Sequence, residues 1–257
     1  GVDNTSNVEQ DGLDNLSGVV QAGYMNDSDV YQEGDTNYSG VVQLGVENNS
    51  IVSQEGDSNS SLVYQLGYLN DSDVEQLGDF NSSGVLQVGY NNESTVSQND
   101  ENDSSRGGYN VSGVIQLGAD NSSDVLQKGR GNNASGVIQV GADNSSEVTQ
   151  TGFYFGGSNQ SGVIQLGLSN DSEVTQLGKE NESGVIQVGE ENGSMVDQNG
   201  VTNASGVIQL GADNGSEVTQ AGISNTSGVL QIGAGNESQR PPSYNDELGK
   251  MSEGKII

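Results

Sequence analysis

Amide and hydroxyl side chains carry most of the polar chemistry of this chain, and they recur at fixed spacing. In Asn203-Ala-Ser-Gly-Val-Ile-Gln-Leu-Gly211, Asn, Ser and Gln stand at alternate or every fourth position around one Val. Such groups donate and accept hydrogen bonds without titrating near neutrality, so they suit ladders better than proton transfer. The chain has no His and no Cys, and its seven Lys and Arg are scattered, so no catalytic constellation is assembled and no enzyme is expected. Every unit contains N-x-S, formally a glycosylation acceptor. An Asn that points inward and is hydrogen-bonded accounts for it better.

The elements that position these residues follow from the repeat. The frame N-x-S-x-V-x-Q-x-G restarts eleven residues later, and it opens at Asn4, Asn15, Asn26 and so on to Asn92. It resumes at Asn110, Asn121, Asn133 and Asn144, then from Asn159 to Asn225. The twenty copies all keep Asn, Ser, Val and Gln, and one, with Asp100, lacks the glycine. A self-similarity this regular fixes the architecture before any motif is considered.

Only 30% of the residues are apolar and the net charge is −29, a composition that ordinarily means disorder. The strict placement of Val every eleventh residue overrides that reading. The acidity disfavours nucleic acid as a partner, and it suits a highly soluble chain, a saline habitat or multivalent cations. No run is long and apolar enough to span a bilayer. No charged-then-apolar leader opens the chain, and Gly1 lies three residues before the first frame, which fits a processed secreted protein.

Within a frame Asn, Ser, Val and Gln occupy positions 0, 2, 4 and 6, so all four project from one face of a strand. Gly at position 8 and the pair after it supply a tight arc, often one that needs positive φ. Frames reading S-G-V-x-Q alternate with frames of the S-[DE]-V type, so the true coil is strand–arc–strand–arc over 22 residues. The expectation is an all-β, two-sheet parallel β-solenoid of about ten coils, ten strands in each sheet, with cross-β stacking. Identical side chains then lie about 4.8 Å apart, and stacked amides satisfy groups that would each cost ~1–3 kcal/mol if buried unpaired. The ladder is represented by Asn203, Ser205, Val207, Gln209, Gly211, Asn214, Ser216, Val218, Gln220 and Gly222.

The solenoid is assigned to residues 1–236. Residues 237–257 form a Pro-containing tail, flexible or docking, because Pro241 and Pro242 cannot continue a paired strand. Three irregular arcs, at 99–109, 129–132 and 153–158, fall on one edge of consecutive coils and should form one protrusion. Arg106, Tyr109, Lys128, Arg130, Phe153, Tyr154 and Phe155 lie in or beside it, and they are expected to make lateral contacts. The outward positions of the S-G-V strands are apolar, for instance Val42, Leu44, Ile115 and Leu117, so that sheet is expected to be the adhesive one. Acidic residues such as Asp71, Asp73, Asp120, Asp143 and Asp213 could hold Ca²⁺, though a solvated charged face is the simpler reading, and no cofactor is assigned. One outer column holds Thr149, Thr175 and Thr219, but Asp197 breaks the flat array that ice binding would want. No amphipathic cap helix is visible at either end. Subunits are therefore expected to stack head to tail, through Asn4, Ser6, Val8 and Gln10 at one end and Asn225, Ser227, Val229 and Gln231 at the other.

The pattern N-x-S-x-V-x-Q-x-G-x-x-N resembles the curlin repeat of bacterial curli subunits over residues 4–236. The resemblance implies a secreted subunit that polymerises into functional amyloid fibres of a biofilm matrix, at the cell surface or beyond it. It implies a nucleator homologue and a curli-type secretion channel as further partners. A monomeric β-solenoid adhesin or binding module is the alternative.

Overall fold

The computed structural model describes residues 1–99, 109–129, 131–152 and 157–245. The strands, in chain order, begin with β1 (Thr5–Asp11), β2 (Leu16–Tyr24), β3 (Asp27–Glu33), β4 (Tyr38–Val46), β5 (Asn49–Glu55), β6 (Ser60–Tyr68) and β7 (Asp71–Leu77). They continue with β8 (Ser82–Tyr90), β9 (Glu93–Asn99), β10 (Val111–Ala119), β11 (Ser122–Lys128), β12 (Ala134–Ala142), β13 (Ser145–Gly152) and β14 (Gln160–Leu168). The last are β15 (Asp171–Lys179), β16 (Glu182–Glu190), β17 (Gly193–Val201), β18 (Ala204–Ala212), β19 (Gly215–Ile223), β20 (Thr226–Ala234) and β21 (Glu237–Asn245). Odd-numbered strands form one parallel sheet and even-numbered strands the other. Each strand pairs with the strand two places along the chain, so the molecule is a two-sheet β-solenoid.

Register is unbroken from frame to frame. Val30 pairs with Val52 and Gln32 with Gln54, and the longer connection after β9 leaves Ser94 opposite Ser123. The inner faces meet on a single column of valines per sheet. Val30 is 2% exposed, whereas Val8 on the end strand β1 is 45% exposed because no strand lies beyond it.

The arcs are set by two residues rather than one. At position 8 Gly45 has φ 139°, and a Cβ there would stand 1.8 Å from the carbonyl oxygen of Gly67 on the next coil, so both conformation and clearance demand glycine. Where the arc has its ordinary length, the residue just before the Asn is also left-handed. Glu47, Leu69 and Phe80 take φ 55°, 55° and 59°, a strained choice for L residues that the stacked arc enforces. Glu47 N, for example, donates to the carbonyl of Tyr24 at 2.9 Å.

One expectation is corrected. The chain does not leave the solenoid at the prolines: β21 pairs with β19, which gives the odd sheet eleven strands against ten in the even sheet. The pairing runs Val218↔Arg240 and then Gln220↔Ser243, so Pro241 and Pro242 together face Thr219. A bulge on an edge strand is where proline is tolerated, because the missing N–H need not enter a ladder. The exclusion of proline holds for a central strand, and β21 is an edge.

Candidate assembly surfaces

The ends of the stack are polar in the directional sense. Glutamines donate forward along the chain: Gln32 Nε2 to Gln54 Oε1 at 2.7 Å, and Gln209 Nε2 to Gln231 Oε1 at 2.8 Å. Asparagines donate backward: Asn48 Nδ2 to Asn26 Oδ1 at 2.8 Å, and Asn225 Nδ2 to Asn203 Oδ1 at 2.8 Å. The two directions make the ends complementary. At the β1–β2 end Gln10 and Gln21 donate onward, to Gln32 and Gln43, and offer acceptors outward. At the other end Asn225 Oδ1 is buried with no partner, where every earlier Asn of its column accepts from the next Asn.

β1 and β20 lie in different sheets, so they do not face one another across a junction. A strand that continued the even sheet past β20 would be β2 of another copy. The place past β19, expected to receive the first strand of the next subunit, is taken by β21. There Asn236 mimics a frame opener, its Nδ2 donating to Asn214 Oδ1 at 2.7 Å. The ladder stops after Ser238, because Arg240 stands where Val would be and Ser243 where Gln would be.

The two outer faces differ. On the even sheet the outward positions between Asn and the arc glycine hold a single charged residue, Glu182, and Glu190 follows the glycine at the end of β16. Ile138, Leu166, Ile186, Ile208 and Leu210 are each more than a third exposed, consistent with the expected apolar stripe. On the odd sheet the expected carboxylate column is in register: Asp124 opposite Glu147, Glu147 opposite Glu173, then Met195. Partial burial, then Glu147 and Glu93, raise the Asp124 carboxyl above its ordinary value. Burial with Glu75 and Asp71 does the same at Asp73, and burial alone at Asp197. Tyr31 is pushed up to about 12, chiefly by its 2.6 Å hydrogen bond to Glu33. Thr149 and Thr175 pair in one column, and Asp197 then breaks it before Thr219. Among the described residues no group of three carboxylates is placed to hold a metal ion.

Sequence reasoning missed one carboxylate role. Leu13 N donates to Asp35 Oδ1, Asp35 N to Asp57 Oδ1 and Asp57 N to Asp79 Oδ1, at 2.8–2.9 Å. Here acids in an arc column cap the backbone of the preceding coil. The signal was present as G-D-x-N in three alternate frames, read only as charge.

Of the proposed protrusion, Tyr109 is 54% exposed and stacks on Phe80, ring centroids 5.0 Å apart. Lys128 ends β11 and is half-buried. Arg106, Arg130, Phe153, Tyr154 and Phe155 lie outside the described residues. β9, β11 and β13, the strands that precede the three irregular segments in the chain, are neighbours in one sheet.

The family model of the curlin associated repeat matches residues 26–56, 47–78, 70–99 and 118–152. These segments fall on the ladders just described. Residues 26–99 and 118–152 are curlin repeats. No curated protein matches the chain. The same register continues beyond the matched segments: Ser172 faces Ser194 and Val196 faces Val218. The curlin-repeat family and the β-solenoid fold are structural rather than enzymatic.

Proposed function

We propose that this curlin-repeat protein is a secreted, extracellular structural subunit that assembles head to tail into curli-like functional amyloid fibres of a biofilm matrix. The observation that supports it is the buried, unpartnered Oδ1 of Asn225. Whatever continues the stack must present an Asn main-chain N–H and side-chain amide there, and Asn15 of a second copy does so. Growth on the odd sheet requires β21 to give way to β1 of the incoming copy. Asn4, Ser6, Val8 and Gln10 then restore the ladder rungs that Arg240 and Ser243 interrupt. The exchange swaps one set of main-chain bonds for another and adds a Val and a Gln rung. A nucleator homologue would present the same frame to the first subunit, and a curli-type secretion channel would deliver it.

The reading as a monomeric adhesin is favoured by one observation, the coverage of β19 by a proline-bearing edge strand. Purified chain separates the two. Growth of dye-binding, detergent-resistant fibres, faster when residues 237–257 are removed, supports the fibre subunit. A chain that stays monomeric with and without that segment supports the adhesin.

A further inference from the structure

Two glycine columns run the length of this solenoid, and only one is explained by the chain itself. The arc glycines are demanded by φ and by the neighbouring carbonyl. The strand glycines at the third position of the even frames are not. A Cβ at Gly84, Gly113, Gly136, Gly162, Gly184, Gly206 or Gly228 would meet nothing within 4 Å. None of these has a left-handed φ, and Leu62 occupies the same column in β6 without disturbing its pairing to β4 and β8. Glycine inside a strand weakens it, and where no bend requires it, it marks the close approach of something from outside.

What it leaves is an apolar groove of about 570 Å³, floored by glycines, walled by Leu86, Ile115, Ile138 and Ile164, and closed at one end by Leu62 and Tyr64. We infer that this groove seats the isoleucine column of a second copy of the same chain. The walls repeat at every rung, about 4.8 Å apart, so an occupant that fills all rungs must carry that same repeat. The chain carries it two residues further along each strand, as Leu86, Ile115, Ile138, Ile164, Ile186, Ile208 and Leu230. A two-fold axis parallel to the stack sets the glycine column of each copy against the isoleucine column of the other, reciprocally, with both copies pointing the same way.

Size and charge agree. Seven rungs of about 4.8 Å by seven residues of about 3.3 Å give roughly 800 Å² per copy, the scale of a stable interface. In a chain of net charge −29, this face carries only Glu182 within its strands and Glu190 at their arc end. Two copies can approach here with their carboxylates turned away. The inference extends the fibre reading sideways without depending on it, since pairing is measurable on soluble chain.

The test fills the groove in the full-length chain with the residue the column already accepts once: Gly136→Leu with Gly162→Leu. Sedimentation equilibrium should show copies of the unaltered chain pairing, more tightly as salt rises, and at least tenfold weaker pairing in the variant. Circular dichroism should not change, and the melting temperature should not fall. Removing the knobs, Ile138→Ser with Ile164→Ser, should weaken pairing comparably. Unaltered chain that stays single at every salt concentration, or pairing untouched by filled glycines, would overturn the proposal. So would loss of pairing on filling but not on knob removal, which would mean that the groove holds something other than a second copy. If fibres of the filled variant grow axially at the normal rate but as single filaments, both readings stand. Failure of axial growth in the unaltered chain overturns only the fibre reading.

Discussion

The two sheets are the same on the inside and opposite on the outside. Facing inward, both repeat Asn, Ser, Val and Gln, with Val41 and Val52 equally buried and Gln43 and Gln54 equally laddered. Facing outward, the odd sheet presents columns of carboxylates and the even sheet presents glycine, isoleucine and leucine. Inner identity builds one stack, and outer difference decides what the stack meets sideways. Strand parity lets one frame carry both instructions, because alternate residues never share a face.

The sharpest check on inner identity is to cut one rung in each sheet. Gln116→Leu in β10 strands the Oε1 of Gln139 and leaves Gln87 Nε2 only the carbonyls of Asp71 and Asn92, and Gln127→Leu in β11 strands the Oε1 of Gln150 and leaves Gln98 Nε2 only the carbonyl of Ser82. Each should cost about 2–5 kcal/mol, one unsatisfied buried acceptor at ~1–3 kcal/mol plus the main-chain bonds the Gln itself made, less the gain in apolar burial. Urea titration should place the two variants close together. A large gap between them would mean that the sheets are not equivalent inside.

Next in size is the contrast between glycine columns. Gly141→Ala places a Cβ 1.9 Å from the carbonyl oxygen of Gly167 at φ 128°, so the arc must move. A loss of about 2 kcal/mol or more is expected from strain at such a position. Gly136→Ala meets open space and should gain about 0.5–1 kcal/mol, from chain entropy alone. Thermal melts of the pair measure the difference in sign.

The serine ladder should respond least. Ser123 and Ser135 Oγ are buried without a hydrogen-bond partner, in contrast to the amides beside them. Ser123→Ala in the odd sheet and Ser135→Ala in the even sheet should each change stability by under about 1 kcal/mol, and in the stabilising direction, because a desolvated hydroxyl is removed. A substantial loss on melting would show that these hydroxyls bond to something.

Acid should narrow the outer contrast. The folded-state pKa values of Asp73, Asp124 and Asp197 lie above their ordinary values, so ionising them opposes folding. That destabilisation is present above the folded pKa, and it is relieved as pH falls through it toward the ordinary carboxylate range. Stability should therefore rise between neutral pH and about pH 4. Asp124→Asn should flatten that rise, and melting temperature against pH for both chains decides it.

Coil length, parity, sheet number and the amide ladders were legible because each follows from a spacing that twenty frames repeat. The register across 99–109 was legible as well, because the frame resumes in phase with its partner strand. What escaped was set by neighbours in space. The left-handed residue that precedes Asn in the ordinary arcs varies freely as Glu, Leu, Phe or Thr, since the stacked arc and not the side chain selects its conformation. The Asp35–Asp57–Asp79 caps look like any acidic arc until coils are superposed. β21 was misjudged because prolines forbid a central strand but not an edge. The strand glycines were read as part of a motif, and only the empty space above them shows that the chain itself has no use for them.

The account turns on whether the ladder of one copy continues into the next, and the axial repeat of the fibre measures that directly. Helical reconstruction of fibres grown from pure chain should show strands perpendicular to the axis and a repeat of about 48 Å, ten strands per sheet at about 4.8 Å. That is the repeat if β1 of one copy replaces β21 of its neighbour. A repeat of about 53 Å, with copies stacked over an undisplaced β21, would contradict the exchange. Strands running along the axis, or a chain that never leaves the monomer, would contradict the head-to-tail stack itself.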